Sequence, residues 1–404
     1  VEIPLVGLAD IRAARELLAG VSCTTPVEGS RALAERVGGP VWLKCENLQR
    51  TGSFKIRGAY VRIARLSDAE RSRGVVAASA GNHAQGVALA AALLGADATV
   101  FMPLTAPLPK VAATKAYGAQ VRLGGHTVDE ALLSAAAFAA ETGAVLIHPF
   151  DHADIIAGQG TVGLELLEQC PDVRTVVVGL GGGGLVSGIA SAVKALRPDV
   201  EVVGVQASGA AAFPPSLAAG HPVALQSMAT MADGIAVGCP GEVTFAHVRA
   251  LVDRVVTVDD DALSRALLLS LERAKLVVEP AGAAALAAVM ETPTAFAPPV
   301  VVVLSGGNID PLLLSKVIRH GLVAAGRFLS LRVRIPDRPG ELARLLGVLA
   351  ESGTNVLDVE HQRTGRTLHL DEVEVELQLE TRGTDHSDQV LTALREASYT
   401  VSPW

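Results

Sequence analysis

From residue 75 to residue 304, short β-branched runs alternate with Ala- and Leu-rich stretches of helical length. No other feature limits the fold as much. Val75-Val76-Ala77 precedes a helical pattern over 84–95, and 98–102 precedes one over 108–117. Then come 120–123, a helical pattern over 127–142, and 144–147. A second series opens with the valines after Thr175, followed by a helix over 185–196 and a strand over 200–205. Helical patterns near 261–275 and 281–291 lead to a further strand, Val300 to Leu304. Such alternation implies parallel sheets joined by right-handed crossovers. Its recurrence in two halves predicts two sheet-centred lobes with a ligand cleft between them. Half of the residues are apolar but only 3% are aromatic, and small aliphatic cores suit helices laid on a parallel sheet.

The pattern changes after about Arg327. Residues 328–335 read as a strand, and 339–352 as a helix with Leu342, Leu345, Leu346 and Leu349 on one face. A strand-like segment at 355–361 precedes Val373, Val375, Leu377 and Leu379, which alternate with Glu372, Glu374, Glu376, Gln378 and Glu380. That alternation describes a strand with one wet face. A helix at 386–397 and a short end strand complete a ferredoxin-like βαββαβ order. A chain of 404 residues exceeds what one core usually supports. The division expected is 1–322 and 327–404, with a linker near 319–327.

Lys and Arg total 34 against 42 Asp and Glu, and a net charge of −8 argues against a nucleic-acid or acidic-membrane surface. Cys23, Cys45, Cys170 and Cys239 are scattered with no C-x-x-C pair, as expected of buried free thiols in a reducing cytoplasm. Glu2 and Asp10 stand where a signal peptide would carry bases. Val203 to Ala232 lacks Asp, Glu, Lys and Arg, but Pro214, Pro215, Pro222 and glycines break it up, so a buried irregular segment is expected rather than a membrane span. The expectation is a soluble, cytoplasmic protein.

Four segments carry chemistry. Thr51 to Gly58 (T-G-S-F-K-I-R-G) holds Lys55 behind a Gly/Ser turn and beside Phe54. A lysine nucleophile needs its pKa depressed by burial or charge, and the same residue alone also reads as surface charge. Ser79 to Gly86 (S-A-G-N-H-A-Q-G) lies between a strand and a helix, where N–H groups and short polar side chains favour an anion. Gly179 to Leu185 (G-L-G-G-G-G-L) lets the backbone wrap closely around a phosphate at a helix start. It also satisfies G-x-G-x-x-G, with Asp199 or Glu201 near where a ribose-binding acid would lie, so a dinucleotide oxidoreductase stays open as a rival. Ser305, in S-G-G-N to Asn308, follows a strand end, where α/β folds display functional groups and also place plain turns. Glu279 either starts a helix before Pro280 or stands near a cofactor. His83 has no second His or Cys at ligand spacing, so a polar contact at the helix start is expected of it and no metal site is expected.

Together with H-P-F-D at 148–151 and A-G-Q-G-T at 157–161, these segments occur in the order of the fold type II (tryptophan-synthase-β-like) pyridoxal-phosphate enzymes. Residues 5–325 resemble the threonine dehydratases among them. The resemblance implies a two-lobed catalytic domain using pyridoxal 5'-phosphate, with Lys55 as its Schiff-base residue and as the base that takes the Cα proton. It implies Phe54 against the ring, Asn82 on the phenolic oxygen, and Gly181, Gly182, Gly183, Gly184 and Leu185 around the phosphate. Ser305 would face the pyridine nitrogen, and a neutral hydroxyl there leaves a weaker electron sink than an Asp would. Ser79, Ala80, Gly81, Asn82 and His83 would receive the substrate carboxylate. The reaction implied is loss of water and ammonia from L-threonine, and from L-serine, giving 2-oxobutanoate or pyruvate.

Departures from neighbouring families narrow this reading. Threonine and cysteine synthases usually carry Asp after the lysine, where Ile56 stands. Serine racemases have a serine as second base where Ala80 stands, and a Glu and an Asp for a divalent cation where Gln206 and Ala212 stand. Racemisation and the metal are both disfavoured. Serine racemase/dehydratase and 3-hydroxyaspartate dehydratase remain the alternatives within the fold, and a catalytically silent amino-acid sensor the alternative outside enzymes. Residues 328–404 resemble an ACT domain, which implies a regulatory ligand at Asp337, Pro339, Gly340 and Leu342. Isoleucine or valine is the effector expected, in a homodimer or homotetramer serving isoleucine biosynthesis; a dimerisation module without ligand is the other reading.

Overall fold

The computed structural model describes residues 3–363 and 368–403. The chain divides into two compact units, Val1–Leu313 and Leu314–Trp404.

The first unit carries two sheets. One is wholly parallel, in the order Gln120–Leu123, Ala98–Met102, Val75–Ala78, Val145–Leu146. The other runs Val27–Gly29, Val41–Cys45, Val300–Leu304, Thr175–Gly179, Glu201–Ala207, Arg254–Val258, and is parallel except for its first, antiparallel edge. The two strand series read from the sequence thus belong to separate sheets. Every residue of Val300–Leu304 is buried, because crossover helices cover both faces of its sheet. Val41 pairs with Val300 across most of the first unit, so the second sheet closes only after its last strand is made. Among the described residues no helix is long and apolar enough to cross a membrane. The uncharged stretch after Val203 becomes strand, turn and the short helix Phe213–Ala219.

The second unit is a four-stranded antiparallel sheet in the order Asn355–Gln362, Glu372–Glu380, Phe328–Pro336, Thr400–Pro403, with helices Glu341–Glu351 and Thr384–Glu396. Its core is the alternating set Val373, Val375, Leu377 and Leu379 packed with Leu345 and Leu349.

Three expectations need correction. Residues 319–324, read as linker, end the helix Pro311–Ala324, whose Val317 and Gly321 are buried. Cys23 and Cys239 are exposed, and only Cys45 and Cys170 are buried. Glu376, on the face expected to be wet, is only 6% exposed: it sits directly opposite Arg332, and the two pair at 2.8 Å.

Candidate active site

Lys55 opens the helix Lys55–Ala64, and the turn before it is fixed from outside. Thr51 holds a left-handed conformation, φ 62°. Its carbonyl accepts from Asn308 Nδ2 at 2.6 Å, while the Gly52 carbonyl accepts from Gly307 N and the Ser305 carbonyl from Phe54 N. The turn therefore hangs on the loop that leaves the central strand Val300–Leu304. Lys55 Nζ donates to the Pro149 carbonyl at 3.0 Å and lies 5.1 Å from the centre of the Phe54 ring. Burial pulls its pKa down to about 8, against an opposing pull from Glu279. The positive end of its own helix acts in the same direction as burial.

Two residues along, Arg57 anchors that helix from beneath. It is fully buried and bonds Glu46 through Nε and Nη2 (2.9 and 2.8 Å) and Glu165 through Nη1 and Nη2 (2.7 and 3.0 Å). Lys44 Nζ shares Glu165 at 2.6 Å and also donates to the Thr25 carbonyl. Two cations and two anions are thus paired out of water, with Arg57 raised well above its usual range and Glu46 held below its own by Arg57 against the cost of burial.

The A-G-Q-G-T segment belongs to the same packing problem. A β-carbon on Gly158 would lie 2.6 Å from the Arg57 carbonyl, and one on Gly160 would lie 3.0 Å from the Gly188 carbonyl. The glycines of helix Ala153–Gln169 let it press against both the lysine helix and Gly184–Leu196, the helix that follows the glycine loop.

The Ser79–Asn82 turn faces this lysine helix. Gly86 brings the helix Asn82–Leu94 to backbone contact with Lys55, since a β-carbon there would lie 3.1 Å from the Lys55 carbonyl carbon. Ser79 Oγ accepts from Gly81 N at 3.1 Å. Asn82 donates to Glu279 and accepts from Asn308 Nδ2 at 2.7 Å. Glu279 is 3% exposed, and burial pushes its carboxyl up to about 7. It stands just before the turn Ala281–Ala283, which Pro280 caps, and its carboxyl reaches Asn82. His83 is tied to the Ile147 carbonyl through Nε2 at 2.8 Å, and burial and Lys55 drive it down to about 3. It is neutral and turned to the backbone, so it brings no charge to a carboxylate.

The loop Gly181–Gly184 is clamped between neighbours that leave no room for side chains. A β-carbon on Gly182 would overlap the Phe150 ring, and one on Gly181 would lie 2.8 Å from Ile235 Cα. Gly183 is left-handed, φ 96°, and starts the helix whose first N–H groups have no partner within the helix. Leu185 is buried in that first turn, and Ser305 is 6% exposed at the end of Val300–Leu304. Asp199 and Glu201 do not serve this loop. They lie at the beginning of strand Glu201–Ala207, whereas the loop leaves the end of its parallel neighbour, and they pair with Arg197 and Arg254. The dinucleotide reading loses its acid.

In the second unit, Asp337, Pro339 and Leu342 line a cavity of about 200 Å³ with Arg338, His361 and Arg363. Gly340 does not line it. It supplies the left-handed start, φ 94°, of helix Glu341–Glu351.

Four participants were not singled out in the sequence. Asn308 and Phe150 belonged to recognised segments, but only their partners reveal what they do. Lys110 and Asp233 meet at 3.0 Å from chain positions 123 residues apart, and no local signal marks either.

Residues 20–306 match the family model described as pyridoxal-phosphate dependent enzyme, and residues 329–398 match that of the ACT domain. The chain is 46% identical over 397 residues to the L-threonine ammonia-lyase of Thermotoga maritima, covering 98% of this chain and 99% of that protein. Among solved structures it is similar to the processed form of threonine deaminase isoform 2 from Solanum lycopersicum (36% identity, TM-score 0.73, 79% of this chain and 96% of that one). It is also similar to maize serine racemase (39% identity, TM-score 0.74, 79% and 99%).

Proposed function

The chain belongs to the pyridoxal-phosphate dependent enzymes and carries an ACT domain behind its catalytic unit, and from that premise we propose that it deaminates L-threonine to 2-oxobutanoate and ammonia. Lys55 carries the reading: a nucleophile with a pKa near 8, held at the Pro149 carbonyl in a chain alike over its length to an L-threonine ammonia-lyase. The residues present fit the cofactor. The clamped glycine loop admits a phosphate to backbone N–H groups, an aromatic ring lies beside the lysine, and a buried serine and an asparagine stand in segments hydrogen-bonded to the lysine's turn.

Pyridoxal phosphate, when bound, supplies the electron sink that lets the Cα–H bond of an amino acid break heterolytically and the β-hydroxyl depart. Gly181–Leu185 would hold its phosphate, Asn82 its phenolic oxygen, Ser305 its pyridine nitrogen and Phe54 one side of its ring. Lys55 would tether it and, as a base, would take the proton from Cα. The Ser79–Asn82 turn orients the substrate carboxylate through backbone N–H groups at a helix start. The water lost from Cα and Cβ is regained when ammonia leaves. Ala80 offers no hydroxyl to return a proton to the opposite face, which favours elimination over racemisation.

L-Serine is the second substrate of this reading. We further propose that the ACT cavity takes isoleucine or valine, that the protein works as a homo-oligomer in the cytoplasm, and that it serves isoleucine biosynthesis. Purified protein should form 2-oxo acid from L-threonine. Lys55→Ala should lose both that activity and the cofactor's visible absorbance, and a Lys55→Ala protein that deaminates at the wild-type rate refutes the assignment.

A further inference from the structure

Helix Leu108–Ala116 lies on the lobe that carries the Ser79–Asn82 turn, and its first turn points Lys110 at that turn. A β-carbon built on Gly81 would sit 3.5 Å from Lys110 Nζ. The lysine side chain is only 11% exposed, and the carboxylate it meets among the described residues is Asp233, at 3.0 Å. Asp233 comes from the other lobe, in the turn Asp233–Ile235. That turn touches the site from two sides. Ile235 packs against Gly181 of the glycine loop, and a β-carbon on Gly234 would lie 4.0 Å from Glu279 Oε1. The ion pair therefore bridges the two lobes between the proposed carboxylate turn and the proposed phosphate loop.

Its charges are placed for selection. A nearly buried ammonium beside N–H groups at a helix start adds a full positive charge where an α-carboxylate would be received. The neutral His83 supplies none there. Asp233, its side chain 59% exposed, holds one side of this ammonium at 3.0 Å, and the Glu279 carboxyl lies close to Gly234 of the same turn. A substrate with a second carboxylate would bring a further negative charge beside Asp233, which already holds part of the Lys110 charge.

We propose that Lys110 and Asp233 determine substrate specificity: Lys110 draws the α-carboxylate onto the Ser79–Asn82 turn, and Asp233 rejects amino acids with acidic side chains. This rests on the threonine-deaminating reading.

The test uses the holoenzyme, with L-2-aminobutyrate and L-aspartate as competitive inhibitors of L-threonine turnover. Asp233→Asn is expected to lower the inhibition constant of L-aspartate at least fivefold while changing that of L-2-aminobutyrate less than twofold. Lys110→Met is expected to raise KM for L-threonine and the constant for L-2-aminobutyrate at least tenfold, with cofactor absorbance as in the wild type. Lys110→Arg should restore both to within threefold. An unchanged ratio of inhibition constants in Asp233→Asn overturns the proposal, and so does an unchanged KM in Lys110→Met. If Lys110→Met fails to fold, Lys110→Arg with wild-type KM and the Asp233→Asn ratio decide. Wild-type enzyme inert towards L-threonine overturns the functional reading and this inference with it, whereas active enzyme with unmoved constants overturns this inference alone.

Discussion

An amine with a pKa near 8 is neutral in about a tenth of molecules at pH 7, against about one in three thousand for an unperturbed lysine. Burial thus prepares Lys55 before any cofactor arrives. Capture of pyridoxal phosphate by cofactor-free enzyme should speed up about tenfold per pH unit up to roughly pH 8 and then level off. Stopped-flow absorbance checks this, and a flat profile from pH 6 to 9 would contradict it. Glu279 is perturbed in the opposite sense. Its folded pKa of about 7 exceeds the ordinary 4.5, so the native state binds the extra proton between these values and stability falls as pH rises through that window. Glu279→Gln keeps an acceptor for Asn82 and removes the buried charge. It should stabilise the protein by roughly 2–3 kcal/mol at pH 8 and hardly at all at pH 4.5, as read from denaturant midpoints.

At the scale of elements, the helix that bears Lys55 is held by charge below and by glycine contacts beside. Arg57→Met would strand Glu46 out of water and leave Glu165 to Lys44 alone, costing about 3–5 kcal/mol, whereas exposed pairs such as Arg31–Glu35 contribute at most about 1 kcal/mol. Urea denaturation of the two variants, Arg57→Met and Arg31→Met, compares them directly. Gly158→Ala places a methyl 2.6 Å from the Arg57 carbonyl and should cost about 1–3 kcal/mol or more, with a lowered kcat because the lysine helix must shift. The sequence showed the glycines of A-G-Q-G-T as a recognisable pattern, but not that they meet Gly58 and Gly188 of two other helices. Periodicity describes a helix face; it does not say which helix lies against it.

For the whole molecule, the catalytic unit and the ACT unit each have their own core. If the cavity beside Asp337 and Arg363 takes the effector, its ammonium and carboxylate have an acid and a base to meet, and Leu342 an apolar side chain. Leu342→Trp should then raise the isoleucine or valine concentration for half-maximal response at least tenfold, as measured from the 2-oxo acid rate. An unshifted response would place the effector elsewhere.

The amino-acid sequence by itself determined the strand–helix alternation, the change to a half-exposed antiparallel sheet, and the order of the lysine, asparagine, glycine and serine segments. Each is local, written in periods of two or 3.6 residues or in short runs whose chemistry is their own. Only the tertiary structure decided that Val41–Cys45 joins the sheet of Val300–Leu304, that Arg57 is sunk between Glu46 and Glu165, and that Lys110 meets Asp233. Those facts depend on segments far apart in the chain coming together, and on burial, which turns an ordinary lysine or glutamate into one with a shifted pKa. Lys55 shows both sides. Its motif was legible from eight residues, but its lowered pKa comes from burial beside Pro149 and Phe54, against the pull of Glu279.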